Sequence, residues 1–185
     1  MSRLLAALLC LPLFGLCLLQ TPSVLAAEEP LFSADGYRLT RQRSPTPASV
    51  DGAQTIDTAT LQQMLAGKEP PALIDVFRRP WLHGQFAADE AHQNIPGSLW
   101  LANVGEGQLA PQWQDYFVHY LEQASGGDRA RPLVLYCKSD CWLSWNASKR
   151  AAALGYTRLY WYRDGIDAWQ QAGLPVQTAT PAALP

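Results

Sequence analysis

The sequence predicts an α/β fold, a parallel sheet covered by helices on both faces. Three observations predict it. Short apolar runs at residues 72–76, 133–136 and 159–162 are continuous rather than alternating, as strands buried on both faces are. Between them lie stretches with apolar residues at helical spacing. Strand and helix patterns then alternate from residue 54 to residue 172, which is the signature of parallel strands joined by helical crossovers.

The elements follow in order. Gln54 to Ile56 reads as a short strand, and Asp57 or Thr58 caps a helix with Leu61, Met64 and Leu65 on its apolar face, stopped by Gly67. Pro70 and Pro71 restart the chain into the strand at 72–76. A long loop is expected from Phe77 to Asn94, then the turn Ile95-Pro96-Gly97 and a strand at 98–101. A helix is expected over 111–124, with Pro111 in its first turn and Trp113, Phe117, Tyr120 and Leu121 along one face. After Gly126-Gly127 come the strand at 133–136, a cysteine-bearing loop, a helix over about 146–154 capped by Asn146, the strand at 159–162 and a last helix near 166–172.

The flanks read differently. Residues 1–26 carry Arg3, an apolar run from Leu4 to Leu19 and small residues at the end, the pattern of a cleavable secretory signal peptide. The run contains Pro12 and Gly15 and falls short of a spanning helix, so no stable membrane span is expected after cleavage. Leu9 before Cys10 and Leu16 before Cys17 do not match a bacterial lipidation site. Residues 27–53, with Pro30, Pro45, Pro47, Asp35-Gly36 and Asp51-Gly52, are expected to form an arm with at most one short strand near Tyr37 to Leu39. Residues 177–185 are rich in Ala, Thr and Pro, and are expected to be a disordered tail. That leaves residues 54–176 as one domain, a size that supports a proper core.

Composition narrows the function. The chain has 14 basic and 16 acidic residues and no basic stripe, so a nucleic-acid partner is not expected. Of its four cysteines, Cys10 and Cys17 fall in the signal-like segment, leaving Cys137 and Cys141 for the mature, exported protein. An isolated pair in an oxidising compartment is bridged, redox-active or metal-binding. A bridge closing so short a loop adds little through chain entropy, so stability alone is a poor reason for it.

Cys137 ends the strand at 133–136, and the loop Lys138-Ser139-Asp140-Cys141-Trp142 leads into a helix. Backbone amides and a helix N-terminus there favour a thiolate over a thiol. With Lys138 beside it, Cys137 reads as the attacking thiolate and Cys141 as the resolving thiol. Lys138, Ser139, Asp140, Trp142 and Trp145 are the candidate substrate-binding residues, with packing the commoner role for the two tryptophans.

Several stretches resemble the rhodanese-like family. Leu73-Ile74-Asp75-Val76 resembles its "LIDVR" strand end, Asn94-Ile95-Pro96-Gly97-Ser98 its "HIPGA" turn, and Gly165-Ile166-Asp167-Ala168-Trp169 with Gly173-Leu174-Pro175 its "GGxxAWxxAGLPV" close. The resemblance covers about residues 54–176. It implies a five-stranded parallel sheet, with Cys137 where the family keeps its catalytic cysteine and Asp75, Gly97 and Trp169 as framework. The loop departs from the family's "CRSGxRS", because residues 138–143 contain no arginine and one residue is added. Phosphatase activity is therefore not expected, since nothing in the loop can grip phosphate. Thiosulfate transfer is weakened, with only Lys138 and amides to neutralise a dianion.

Cys-x-x-x-Cys-Trp followed by Leu-Ser-Trp-Asn-Ala is similar to a narrower group of exported rhodanese-like proteins. Their association with pyrroloquinoline-quinone (PQQ)-dependent alcohol catabolism implies a periplasmic accessory role beside a PQQ-dependent dehydrogenase system. The expected partners are a small sulfur donor or a thiol partner protein, and the expected activity is that of a sulfurtransferase or thiol–disulfide oxidoreductase. The alternative is a non-enzymatic protein binding Cu(I) or the quinone cofactor PQQ through the same loop. Two soft sulfurs suit Cu(I), with His83, His92 or His119 as a third ligand.

Overall fold

The computed structural model describes residues 29–88 and 90–185. The signal-like segment lies outside the described residues. Five strands form one parallel sheet in the order β1-β8-β7-β2-β6, comprising β1 (Gln54–Ile56), β8 (Leu159–Tyr162), β7 (Leu133–Tyr136), β2 (Ala72–Asp75) and β6 (Leu99–Trp100). Each pairing is parallel, with Leu73 opposite Val134 and Val134 opposite Tyr160. The central strand β7 is buried along its whole length, which accounts for its unbroken apolar sequence.

Helices cover both faces. On one, α2 (Pro111–Ser125) and α3 (Trp142–Ala153) bring Phe117, Leu121, Leu143 and Ala147 onto Ile74, Leu133 and Leu135. On the other, α1 (Thr58–Leu65) and α4 (Gly165–Gln171) set Leu61, Ile166 and Trp169 against Leu73, Val134 and Tyr162. Asp57 caps α1 by accepting the Thr60 N–H at 2.8 Å. Gly126 closes α2 in the left-handed conformation (φ 63°), and the Gly127 N–H reaches the Glu122 carbonyl.

Three expectations are corrected. The long loop after β2 contains a hairpin, β3 (Trp81–Leu82) with β4 (Gln85–Phe86), turned at His83 and Gly84, both with positive φ. It also contains β5 (His92–Asn94). Such strands are too short for a period-2 pattern to register. Second, α3 begins at Trp142, so Asn146 is interior and fully buried rather than a cap.

Third, the tail is ordered at its start, where β9 (Gln177–Ala179) pairs antiparallel with β5. Beyond it, Ala182 donates its N–H to the Trp100 carbonyl and accepts the Tyr116 hydroxyl at 2.9 Å. These contacts use the tail's backbone, which an Ala, Thr and Pro composition does not advertise. The N-terminal arm docks on the domain. Its Arg38 guanidinium lies over the rings of Phe32 and Trp142, 5.1 and 4.7 Å from their centroids, and the Trp145 indole donates to the Ser49 carbonyl at 3.0 Å. No helix among the described residues is long and apolar enough to cross a membrane.

Candidate active site at the strand–helix cysteine loop

The loop between β7 and α3 stands at the carboxyl end of the parallel sheet, where open α/β folds place their sites. Cys137 leaves β7 and Cys141 immediately precedes α3. Their sulfurs form a disulfide, with Cα atoms 6.3 Å apart. Asp140 makes the turn that brings them together, in the left-handed region at φ 46°. Its carboxylate accepts from the Thr46 N–H at 3.3 Å.

Two segments clasp this loop. From below, α4 approaches so closely that Gly165, at φ 58°, has no room for a Cβ beside the Cys137 carbonyl, which accepts the Ile166 N–H at 2.9 Å. The glycine of the "GxxAW" stretch is thereby explained. Asp167 of α4 accepts from the Ser139 N–H at 3.0 Å and its hydroxyl at 2.8 Å. From above, the arm bridges Arg43 to Cys141, and the Gln42 carbonyl accepts the Trp142 N–H at 2.9 Å.

Consequently the open thiol expected at Cys137 is not what the structure holds. Both cysteines are 1 % exposed. The sulfur-bearing residue that lines an opening is Cys141, at the wall of a cavity of about 300 Å³ shared with Gln42, Arg43, Phe77, Arg78, Lys138 and Leu143. Cys137 lies behind it.

The other candidates are distributed by this packing. Lys138 lines the cavity and lays its ammonium 4.7 Å from the Phe77 ring centroid. Ser139 and Asp140 are engaged with Asp167 and Thr46. Trp142 donates its indole N–H to Ser44 and, with Trp145, packs against the arm.

Sequence reasoning missed Arg43 and Arg78. Arg43 comes from the arm and Arg78 from the segment after β2, so neither is near the cysteines in sequence. Together with Lys138 they give the mouth a cationic rim, offset by Glu106, which pairs with Arg78 at 3.0 Å. Burial pushes the Glu106 carboxyl up, against the pull of Arg78 and Arg150. The expectation that only Lys138 could oppose an anion is therefore corrected.

A metal fits poorly. Among the described residues no three His, Cys, Asp or Glu side chains converge as a metal site. His92 is instead engaged by Asp75, and His119 by Gln123 on α2. Joined to each other as a disulfide, the two sulfurs offer no thiolate to Cu(I) in this state.

Comparison with known proteins agrees with the architecture. No curated protein matches the chain. Among solved structures, the polysulfide-sulfur transferase homodimer from Wolinella succinogenes is similar at 19 % identity, over 68 % of this chain and 79 % of that one, with a TM-score of 0.45. The thiosulfate sulfurtransferase from Pseudomonas aeruginosa is similar at 25 % identity, over 72 % of this chain and 21 % of that one, with a TM-score of 0.47. The human single-domain sulfurtransferase TSTD1 shares 24 % identity over 65 % of this chain and 97 % of its own, with a TM-score of 0.42. The Rhodanese-like domain family matches residues 57–172, from the cap of α1 to the end of α4. The chain belongs to the rhodanese-like domain family.

Proposed function

We propose that the chain carries out sulfur transfer or thiol–disulfide exchange through the Cys137–Cys141 pair, with Cys141 as the sulfur that meets the incoming group. One observation carries this reading: the pair is bridged across the strand–helix loop, and Cys141 alone of the two lines the cation-rimmed cavity. In the oxidised state a partner thiolate attacks the Cys141 sulfur. The disulfide breaks, its electron pair leaves on Cys137, and a second partner thiol completes a two-electron reduction of the pair. In the reduced state the Cys141 thiolate takes the terminal sulfur of an anionic sulfane donor, which departs one sulfur poorer. Cys137 then attacks the sulfur of Cys141, releasing HS⁻ and restoring the bridge.

This order reverses the one the sequence suggested, because the arm and α4 enclose Cys137. The finer setting belongs to the same proposal. Export to the periplasm and service to a PQQ-dependent alcohol-oxidising system rest on the signal-like residues 1–26 and on the Cys-x-x-x-Cys-Trp resemblance.

The test uses Cys137→Ser and Cys141→Ser variants of the full chain, treated with polysulfide and read by intact-protein mass spectrometry. Cys137→Ser is expected to retain a one-sulfur increment that cyanide removes as thiocyanate. Cys141→Ser is expected to load far more slowly while keeping its fold by circular dichroism. Failure of both variants to take up sulfur, together with a native bridge that protein and small thiols leave intact, would end the proposal. A large loss of stability on removing the bridge would make it structural instead.

A further inference from the structure

A second cavity, of about 800 Å³, lies on the other side of Phe77 from the cysteine mouth. It is enclosed by the β3–β4 hairpin, by β5 and Trp100, and by the tail beyond β9. Its volume is that of a small-molecule site. Trp81, Phe86, Trp100, Pro181 and Leu184 supply apolar and aromatic wall.

The hairpin wall is anchored, since Trp81 and Phe86 both meet Trp113 of α2, at 5.4 and 5.8 Å between centroids. The tail wall is held by Tyr116 and Tyr120, which donate to the Ala182 and Ala183 carbonyls. The cavity is therefore framed on both sides by packed side chains and hydrogen bonds.

One polar side chain is set into this wall. His92 is 8 % exposed and lines the cavity, stacked on Phe77 and lying 3.9 Å from Trp100. Its Nε2 is 2.6 Å from Asp75 Oδ2, while Asp75 Oδ1 accepts the Phe77 N–H. Accepting from Nε2–H fixes the tautomer of a neutral ring, so Nδ1 is left as an acceptor. Nδ1 has no partner among the described residues and is not a sealed atom. Open to the cavity, Nδ1 is free to accept from the proton donor of a guest.

We propose that this cavity binds an uncharged aromatic molecule bearing a hydroxyl group, a phenol, whose O–H donates to His92 Nδ1. Aromatic walls favour an aromatic guest through edge-to-face contact. Arg79 and Glu90 both line the cavity, so its wall favours neither sign of charge and suits an uncharged guest. The site is separate from the thiol chemistry and does not depend on it.

The probes are 4-methylphenol and 4-methylanisole, which differ in the O–H, titrated into the full chain by calorimetry and ligand-observed NMR. The phenol is expected to bind saturably, roughly tenfold tighter than the ether, as one net hydrogen bond warrants. His92→Phe is expected to erase the difference. Because that change also strands Asp75, Ala88→Trp at the rim is the second variant and is expected to abolish binding of both probes with the fold kept. A Cys137→Ser/Cys141→Ser protein is expected to bind as the native one does, so failure of the thiol reading leaves this one intact. The proposal is overturned by absence of saturable binding at millimolar probe, by equal affinity for phenol and ether, by binding that survives Ala88→Trp, or by binding lost with the cysteines.

Discussion

Asn146 offers a direct test of whether the arm governs access to the disulfide. It sits inside α3, fully buried, and grips the arm from both sides of one residue. Its Oδ1 accepts the Arg38 N–H at 2.8 Å, while its Nδ2 donates to the Arg38 carbonyl and the Gly105 carbonyl, each at 2.9 Å. In Asn146→Ala all three bonds vanish. The Arg38 carbonyl keeps Gln42 as a donor at 3.0 Å, so the main losses are the stranded Arg38 N–H and Gly105 carbonyl. Two buried groups left unpaired cost about 2–3 kcal/mol together.

Only the Arg38 share, about 1–1.5 kcal/mol, falls on the contact between arm and helix; the rest falls on the loop that carries Gly105. If the arm must lift for a reductant to reach Cys141, opening becomes easier by that share, and reduction under native conditions accelerates about 5- to 13-fold. The assay is the rate of disulfide loss in a small phosphine reductant, followed by thiol labelling, beside urea unfolding to record stability. Ser148 provides the control. Its hydroxyl is buried on the same helix without a hydrogen-bond partner, so Ser148→Ala is expected to be neutral or slightly stabilising and to leave the reduction rate alone. Destabilised Asn146→Ala protein that is reduced at the native rate would refute the gating argument. Equal acceleration in Ser148→Ala would refute it as well.

Two further outcomes follow from the site. Gly165→Ala places a methyl group against the Cys137 carbonyl and Lys138 at a left-handed φ, so it is expected to cost at least about 2 kcal/mol in urea unfolding. A shift below a quarter of that would mean the α4 clasp is looser than its geometry states. Arg43→Ala and Arg78→Ala are each expected to slow reduction by thioglycolate roughly threefold relative to mercaptoethanol, an effect that fades in high salt. Equal slowing by both thiols would show that the cationic rim does not steer anions.

The sheet was legible because its signal is local. Residues 133–136 and 159–162 are apolar throughout, and Pro111 and Gly126 bracket α2, so those elements follow from neighbours in the sequence. The site was legible only in part, because the loop names its own residues but not the segments that close over it. Gln42 and Arg43 reach Cys141 across nearly a hundred residues. Trp142 and Asn146 carried the one available hint, an aromatic and an amide on α3 that bond to Ser44 and Arg38 of the arm. Reading Asn146 as a cap concealed it, since a cap satisfies its own helix whereas this side chain satisfies a distant backbone.

The loss of arginine from the cysteine loop need not mean the loss of anion recognition. A loop arginine would place its charge from within the turn, whereas here Asp140 occupies that turn and accepts from the Thr46 N–H. The positive groups come instead from three separate segments: Arg43 on the arm, Arg78 after β2 and Lys138 beside Cys137. Their side chains line the same cavity as Cys141. A rim built this way depends on the arm being docked, because Arg43 leaves with it. Thus the arm that covers the disulfide also completes the charge that would draw an anionic sulfur compound to it. Lifting the arm fully would expose the sulfur and weaken the attraction together. The arrangement favours a small anion entering the existing cavity over a bulky thiol protein, so glutathione-sized or smaller anions should outpace a folded dithiol protein of equal reduction potential in native chain. In Asn146→Ala that ranking should narrow, and a native chain that prefers the folded protein would overturn the argument.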